Sequence, residues 1–384
     1  MRLPIALMAA VLVLGGCDGK KPAQDPPPAP AGGGAGDPPA VPKPVDTGWK
    51  ASLEGLTPPA SPARGMIRGS AFAFESGTLE DGRLQLRQGK DFFADRELSI
   101  FLFLKNEGEV PAGRSWSIKS SKEYNQPHVH IASRQGDELP DTDMFMNEYS
   151  MLLTLGEFRD GTISGSIWIC LPDEKKSWVA GAFTARVKGF IMGPDGPDRT
   201  QDSLKLLQWL AKEHVEKANP GQTVKQEESR DSMCGVSDDP KAELDGIVMV
   251  KFRIGSAAPA WNRFRFHRKG EWRVVGVLPP HQFPEAHPIQ PHAPGSQEEA
   301  EGLAAAAVEA ELAGAPVFGA MVQGQGRDTW CLVRVQYSTS EDSSGDASER
   351  RFLYRKNGAA WALDRELREG EEIDYRSGAI KPAK

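Results

Sequence analysis

Long apolar runs are scarce in this chain. Its mean hydropathy is −0.45, and its longest apolar stretch, Leu3 to Leu14, falls short of the ~20 residues a membrane-crossing helix needs. A polytopic membrane protein is therefore excluded. Cysteine is rare, with 4 in 384 residues, which excludes a disulfide-dense scaffold. Positive charge is in deficit: 46 Lys and Arg stand against 53 Asp and Glu, for a net charge of −7. A general nucleic-acid binder needs a basic stripe to meet phosphates, so no nucleic-acid partner is expected. The sequence also lacks a Gly-x-Ser-x-Gly elbow, a Walker A loop, a His-Glu-x-x-His pair and a Cys-x-x-Cys pair. Gly324-Gln325-Gly326 is an isolated turn rather than a dinucleotide fingerprint.

The N-terminus is the most informative segment. Arg2 supplies a positive n-region, and Leu3 to Leu14 an apolar h-region. Leu14-Gly15-Gly16-Cys17 follows, an apolar residue and two small ones before a thiol. The segment resembles the lipobox of bacterial lipoproteins. That resemblance implies cleavage after a signal peptide at 1–16, acylation of Cys17 on sulfur, and a cell-envelope protein held on a membrane facing the periplasm. Asp18 resembles the signal that retains such proteins at the inner membrane. Residues 17–64 read as a tether. Their Pro-rich and Gly-rich composition favours extended, unpacked chain, with Trp49, Leu53 and Leu56 available to dock its end.

Three folded blocks are expected after the tether. Residues 65–192 carry short alternating segments separated by Gly, Asp and Pro turns, the pattern of an all-β sandwich or barrel. Leu98 to Leu104 (LSIFLFL) is apolar on both faces and reads as a central, doubly covered strand. Residues 200–278 and 296–376 each open with a helix and continue as strands, giving two repeated α+β units with a Pro/His linker at 279–295. Asp202 is the expected N-cap of the first helix, whose inward face reads Leu204, Leu207, Leu210, Ala211 and His214. Ser296 to Glu299 forms a capping box for the second. Phe264 and Phe266 align with Phe352 and Tyr354, and Trp272 with Trp361. The plan is similar to cystatin-like and nuclear transport factor 2-like modules, in which a curved sheet wraps a helix. Trp272 and Trp361 are assigned to the core rather than to ligand stacking.

The candidate metal ligands are His128 and His130. Val129 and Ile131 between and beside them would face the core, so both imidazoles share the other side of one strand. Asp137, Glu138, Asp141 and Asp143 follow closely and could add oxygen ligands, yet a zinc site needs three or four protein ligands. His281, His287 and His292 form a second histidine-rich stretch, assigned to the linker, and His214 a structural position. Cys170, Cys234 and Cys331 remain as thiols, and Asp141/Asp143 and Glu371/Glu372 as carboxylate pairs on turns. With no strong catalytic motif and no cofactor implied, the sequence points to a noncatalytic envelope lipoprotein that binds or scaffolds a protein or glycan partner. The alternative is a metal-binding protein or metal-dependent enzyme using His128 and His130.

Overall fold

A computed structural model describes residues 48–124, 127–136, 138–237, 239, 241–341 and 347–381. The expected signal peptide, Cys17, Asp18, most of the tether, and Asp137 lie outside the described residues. The described residues form one compact unit, in which no helix is long and apolar enough to cross a membrane.

The first block contains β1 (Arg64–Ile67), β2 (Ser70–Ala73), β3 (Ser76–Glu80), β4 (Arg83–Gln88), β5 (Arg96–Phe101) and β6 (Ser115–Ile118). It continues through β7 (His128–Ser133), β8 (Asp141–Phe145), β9 (Ser150–Arg159), β10 (Thr162–Cys170) and β11 (Trp178–Lys188). All eleven belong to one curled sheet, ordered β6-β9-β10-β11-β3-β4-β5-β7-β8, with the β1-β2 hairpin added through β11. Alternate residues of both halves turn inward and share one core: Leu84, Leu86, Leu98, Ile100, Val129 and Ile131 meet Leu153, Ile163 and Ile167. Each such side chain contributes about 1.5–3 kcal/mol by leaving water. The free side of β11 is divided, pairing with β1 near Ala180 and with β3 near Arg186. Gly181 sits at the division with φ 139°, where a Cβ would lie 2.5 Å from the Ala63 Cα, so only glycine fits.

A small hairpin, β12 (Met192–Gly193) with β13 (Gly196–Pro197), leads to α1 (Leu204–Ala218). Strands β14 (Val224–Cys234), β15 (Leu244–Ile254), β16 (Ala260–Lys269) and β17 (Glu271–Leu278) form a four-stranded antiparallel meander beside it. Helix α2 (Gln297–Glu311) lies against a second meander, β18 (Phe318–Arg327), β19 (Trp330–Ser338), β20 (Ser348–Asn357) and β21 (Ala360–Glu366). The pair β22 (Glu372–Ile373) and β23 (Ile380–Lys381) follows.

The expected fold class needs correction. Among the described residues 47% are strand and 10% helix, with two α-helices in all. The protein is therefore mostly β, one curled sheet followed by separate sheets, and not a sandwich or barrel followed by two repeated α+β units. The aligned aromatic residues do not establish a duplication, because any strand that buries one face places apolar side chains at alternate positions.

Local expectations fared unevenly. Helix α1 buries Leu206, Leu207, Leu210, Ala211 and Val215, leaving Leu204 and His214 exposed. Its N-cap is Ser203, with no side-chain cap bond, because Asp202 is drawn elsewhere. Its Oδ1 accepts from Arg268 Nη1 at 2.7 Å and Trp272 Nε1 at 3.1 Å, and its Oδ2 from Ser237 N at 3.0 Å. In α2, Ser296 Oγ accepts from Glu299 N at 3.2 Å. The Glu299 carboxylate caps Gly295 N at 2.6 Å, one residue upstream of the expected donor. Trp272 and Trp361 are both buried. Trp49 and Leu53 do dock, with Trp49 Nε1 donating to Leu171 O at 2.6 Å, whereas Leu56 is exposed. The stretch expected as a linker is packed: Phe283 is fully buried, and His287 and His292 bond Glu309 Oε2 at 2.9 Å and Glu285 O at 3.0 Å.

Candidate functional site

The histidines on β7 define the site's position. Val129 and Ile131 are fully buried, so His128 and His130 share the outer face, as alternation requires. The fully buried Tyr149 donates its hydroxyl to the Pro127 carbonyl and fixes the chain one residue before His128. Cross-strand pairing then sets the neighbours. Phe101 lies opposite His128 and Ser99 opposite His130, while Arg83 and Gln85 on β4 continue the same two rows. Met144 of β8 pairs with His130 and is 52% exposed.

The result is a ridge of planar side chains across the open face. The Phe101 and His130 rings are 4.8 Å apart, and Phe103 meets His128 edge-on at 4.6 Å. The Arg83 guanidinium lies 5.3 Å from the Phe101 centroid, a cation–π distance. Beneath it, Glu97 Oε1 accepts from Arg83 at 3.0 Å, Gln85 at 3.0 Å and Ser99 at 2.6 Å, which holds the guanidinium and the strand face in place.

Leu98 to Leu104 was expected to be doubly covered, and this is corrected. Strand β5 ends at Phe101, and Phe103 follows at φ 48° with 61% of its surface exposed. A bulky residue in the left-handed region costs on the order of 1–3 kcal/mol, so the chain turns this ring outward at the expense of stability. Phe101 and Phe103 line a cleft of about 430 Å³ together with Lys105, Asn106, Glu107 and Lys205.

The oxygen ligands expected for the histidines are not on this face. Asp143 pairs with Ile131 and Asp141 with Ser133, which places both on the opposite side of the sheet. There Arg68 takes them, at 2.5 Å from Asp143 and 3.4 Å from Asp141. Glu138 is exposed in the turn before β8. No group of three or more His, Cys, Asp or Glu side chains suited to a metal occurs among the described residues. Register is the physical reason: nearness in sequence brought the carboxylates close, and strand parity sent them away.

The remaining candidates are dispersed. Cys170 and Cys331 are buried, Cys234 is half-buried, and all three are free thiols. Burial pushes Cys234 up to about 12 and Cys331 up to about 11, the behaviour of inert thiols. Glu371 accepts from Arg365 at 2.7 Å on the surface.

His130 is held below its ordinary pKa, first by burial, then by the nearby positive charges of Arg83 and His128. Its neutral form is thus favoured in the folded protein, and the ridge is less cationic at neutral pH than two histidines would suggest. The unfolded chain binds that proton more readily, so stability should fall as pH drops below the ordinary value of 6.5. Histidine ring shifts followed by NMR should place the His130 midpoint below 6.5, and His130→Gln should flatten the acid side of the stability curve. A His130 midpoint at or above the ordinary value would contradict this environment.

Phe101 and Phe103 were missed in the sequence as site residues. The available signal was the run Ile100 to Leu104, apolar at successive positions, so that some of its side chains must face outward. In comparisons with known proteins, no family model, curated protein or solved structure matches the chain.

Proposed function

We propose that the protein is a lipid-anchored lipoprotein of the cell envelope, facing the periplasm, that binds a protein or glycan partner without transforming it. The lipobox ending at Cys17 supports the anchor, and Asp18 favours retention at the inner membrane. The observation that carries the binding role is Phe103, a large ring kept 61% exposed at φ 48° beside His128. That backbone conformation carries a cost in stability, which an interaction made by the exposed ring would offset. The ridge offers stacking surface and a braced polar network, the parts of a recognition site.

Hydroxyl-radical footprinting tests this, because phenylalanine, histidine and methionine all report oxidation. Phe103, His128, His130 and Met144 should be several-fold less oxidised in intact cells than in the purified protein. Phe158, also exposed but on β9, should react alike in both. Equal oxidation of the ridge in the two samples would end the binding proposal.

A further inference from the structure

We infer that the partner is a glycan: a chain of neutral pyranose rings that stacks on Phe103 and sends its hydroxyls into the adjoining cleft. This rests on the binding proposal and names the ligand class for the same surface.

Three features favour that chemistry. First, the apolar part is narrow. Phe101, Phe103 and the imidazoles are bordered by Arg83, Gln85 and Ser99 within the sheet and by the charged turn beyond Phe103. A protein interface is built around a core depleted of charge, whereas a sugar ring needs only an aromatic face of its own size. Second, the cleft behind Phe103 has no dominant sign. The lining holds Asp81, Glu107 and Glu109 beside Lys105, Lys188 and Lys205, together with Asn106; Lys205 is paired with Asp81 and Glu109 with Arg114. Such a lining selects neither an anion nor a cation, but its mixture of donors and acceptors matches hydroxyl groups, which both donate and accept. At about 430 Å³ the cleft falls in the range of small-ligand sites. Third, the rings are rigidly presented. His128 and His130 brace Phe103 and Phe101 from the side at 4.6 and 4.8 Å, and Arg83 is locked by Glu97. Little side-chain freedom remains to be lost on binding.

The test uses the mature full chain in a sugar-free detergent, with cellotetraose and chitotetraose as probes in saturation-transfer NMR. At least one oligosaccharide should receive saturation. Phe103→Gly removes the ring while easing the left-handed backbone, and should weaken binding tenfold or more. Phe103→Trp should retain binding, and Phe158→Ala should not change it. No transfer to either sugar, or undiminished affinity in Phe103→Gly, would overturn the glycan inference. Footprint protection of the ridge together with no sugar binding would leave the binding proposal standing and turn it toward a protein partner. Loss of the footprint itself would remove both.

Discussion

Asp202→Ala should destabilise the protein by about 3–5 kcal/mol, the cost of removing one partner from a buried ion pair. The Arg268 and Asp202 side chains are only 4% and 9% exposed. The carboxylate binds Arg268 and the Trp272 indole through one oxygen and the Ser237 amide through the other. Without it, among the described residues, Arg268 keeps the carbonyls of Asp239 and Ala242, at 3.1 and 3.3 Å, and a long contact to Thr200 O at 3.5 Å. Carbonyl dipoles solvate a guanidinium but do not neutralise it. Urea unfolding should therefore show a lower midpoint with an unchanged slope. The double variant Asp202→Leu/Arg268→Met should recover much of the loss, because neither buried charge then remains. A change within about 0.5 kcal/mol for Asp202→Ala, the usual range of surface substitutions, would show that the pair is not structurally important.

Asp202 also shows why parts of the fold were illegible in the sequence. A carboxylate just before an apolar helical pattern reads as a cap, and the helix does begin beside it. Arg268 and Trp272, 66 and 70 residues further along the chain, compete for the same oxygen, and only tertiary structure brings them together. The same division holds at the candidate site. Alternation alone placed Val129 and Ile131 inward and the two histidines outward, and this the structure shares. What alternation could not give was the identity of the neighbouring strands. β5 pairs with β7, while β6 lies at the far edge beside β9. That pairing sets Phe101 against His128, and the register of β8 sends Asp141 and Asp143 to the other face. Phe103 was hidden for a different reason. Apart from Ser99 its segment is apolar, a pattern that fits a covered strand equally well, and the turn at φ 48° carries no glycine to announce it. The fold class went wrong because a helical pattern followed by strands reads as an α+β unit, whereas strand makes up 47% and helix 10% of the described residues.

The lipid anchor is the central claim, and intact-protein mass spectrometry of the membrane fraction tests it most directly. The mature chain should begin at Cys17 and carry acyl chains. A single acyl chain gives only marginal, reversible membrane binding, whereas two or more hold stably, so the wild-type protein should stay with the membrane through a salt wash. Cys17→Ala removes the thiol that accepts the lipid. That variant should lose every acyl mass and be released from the membrane fraction or mislocalised. A soluble mature chain that starts elsewhere and carries no lipid, or a Cys17→Ala protein processed and anchored as the wild type, would contradict the account.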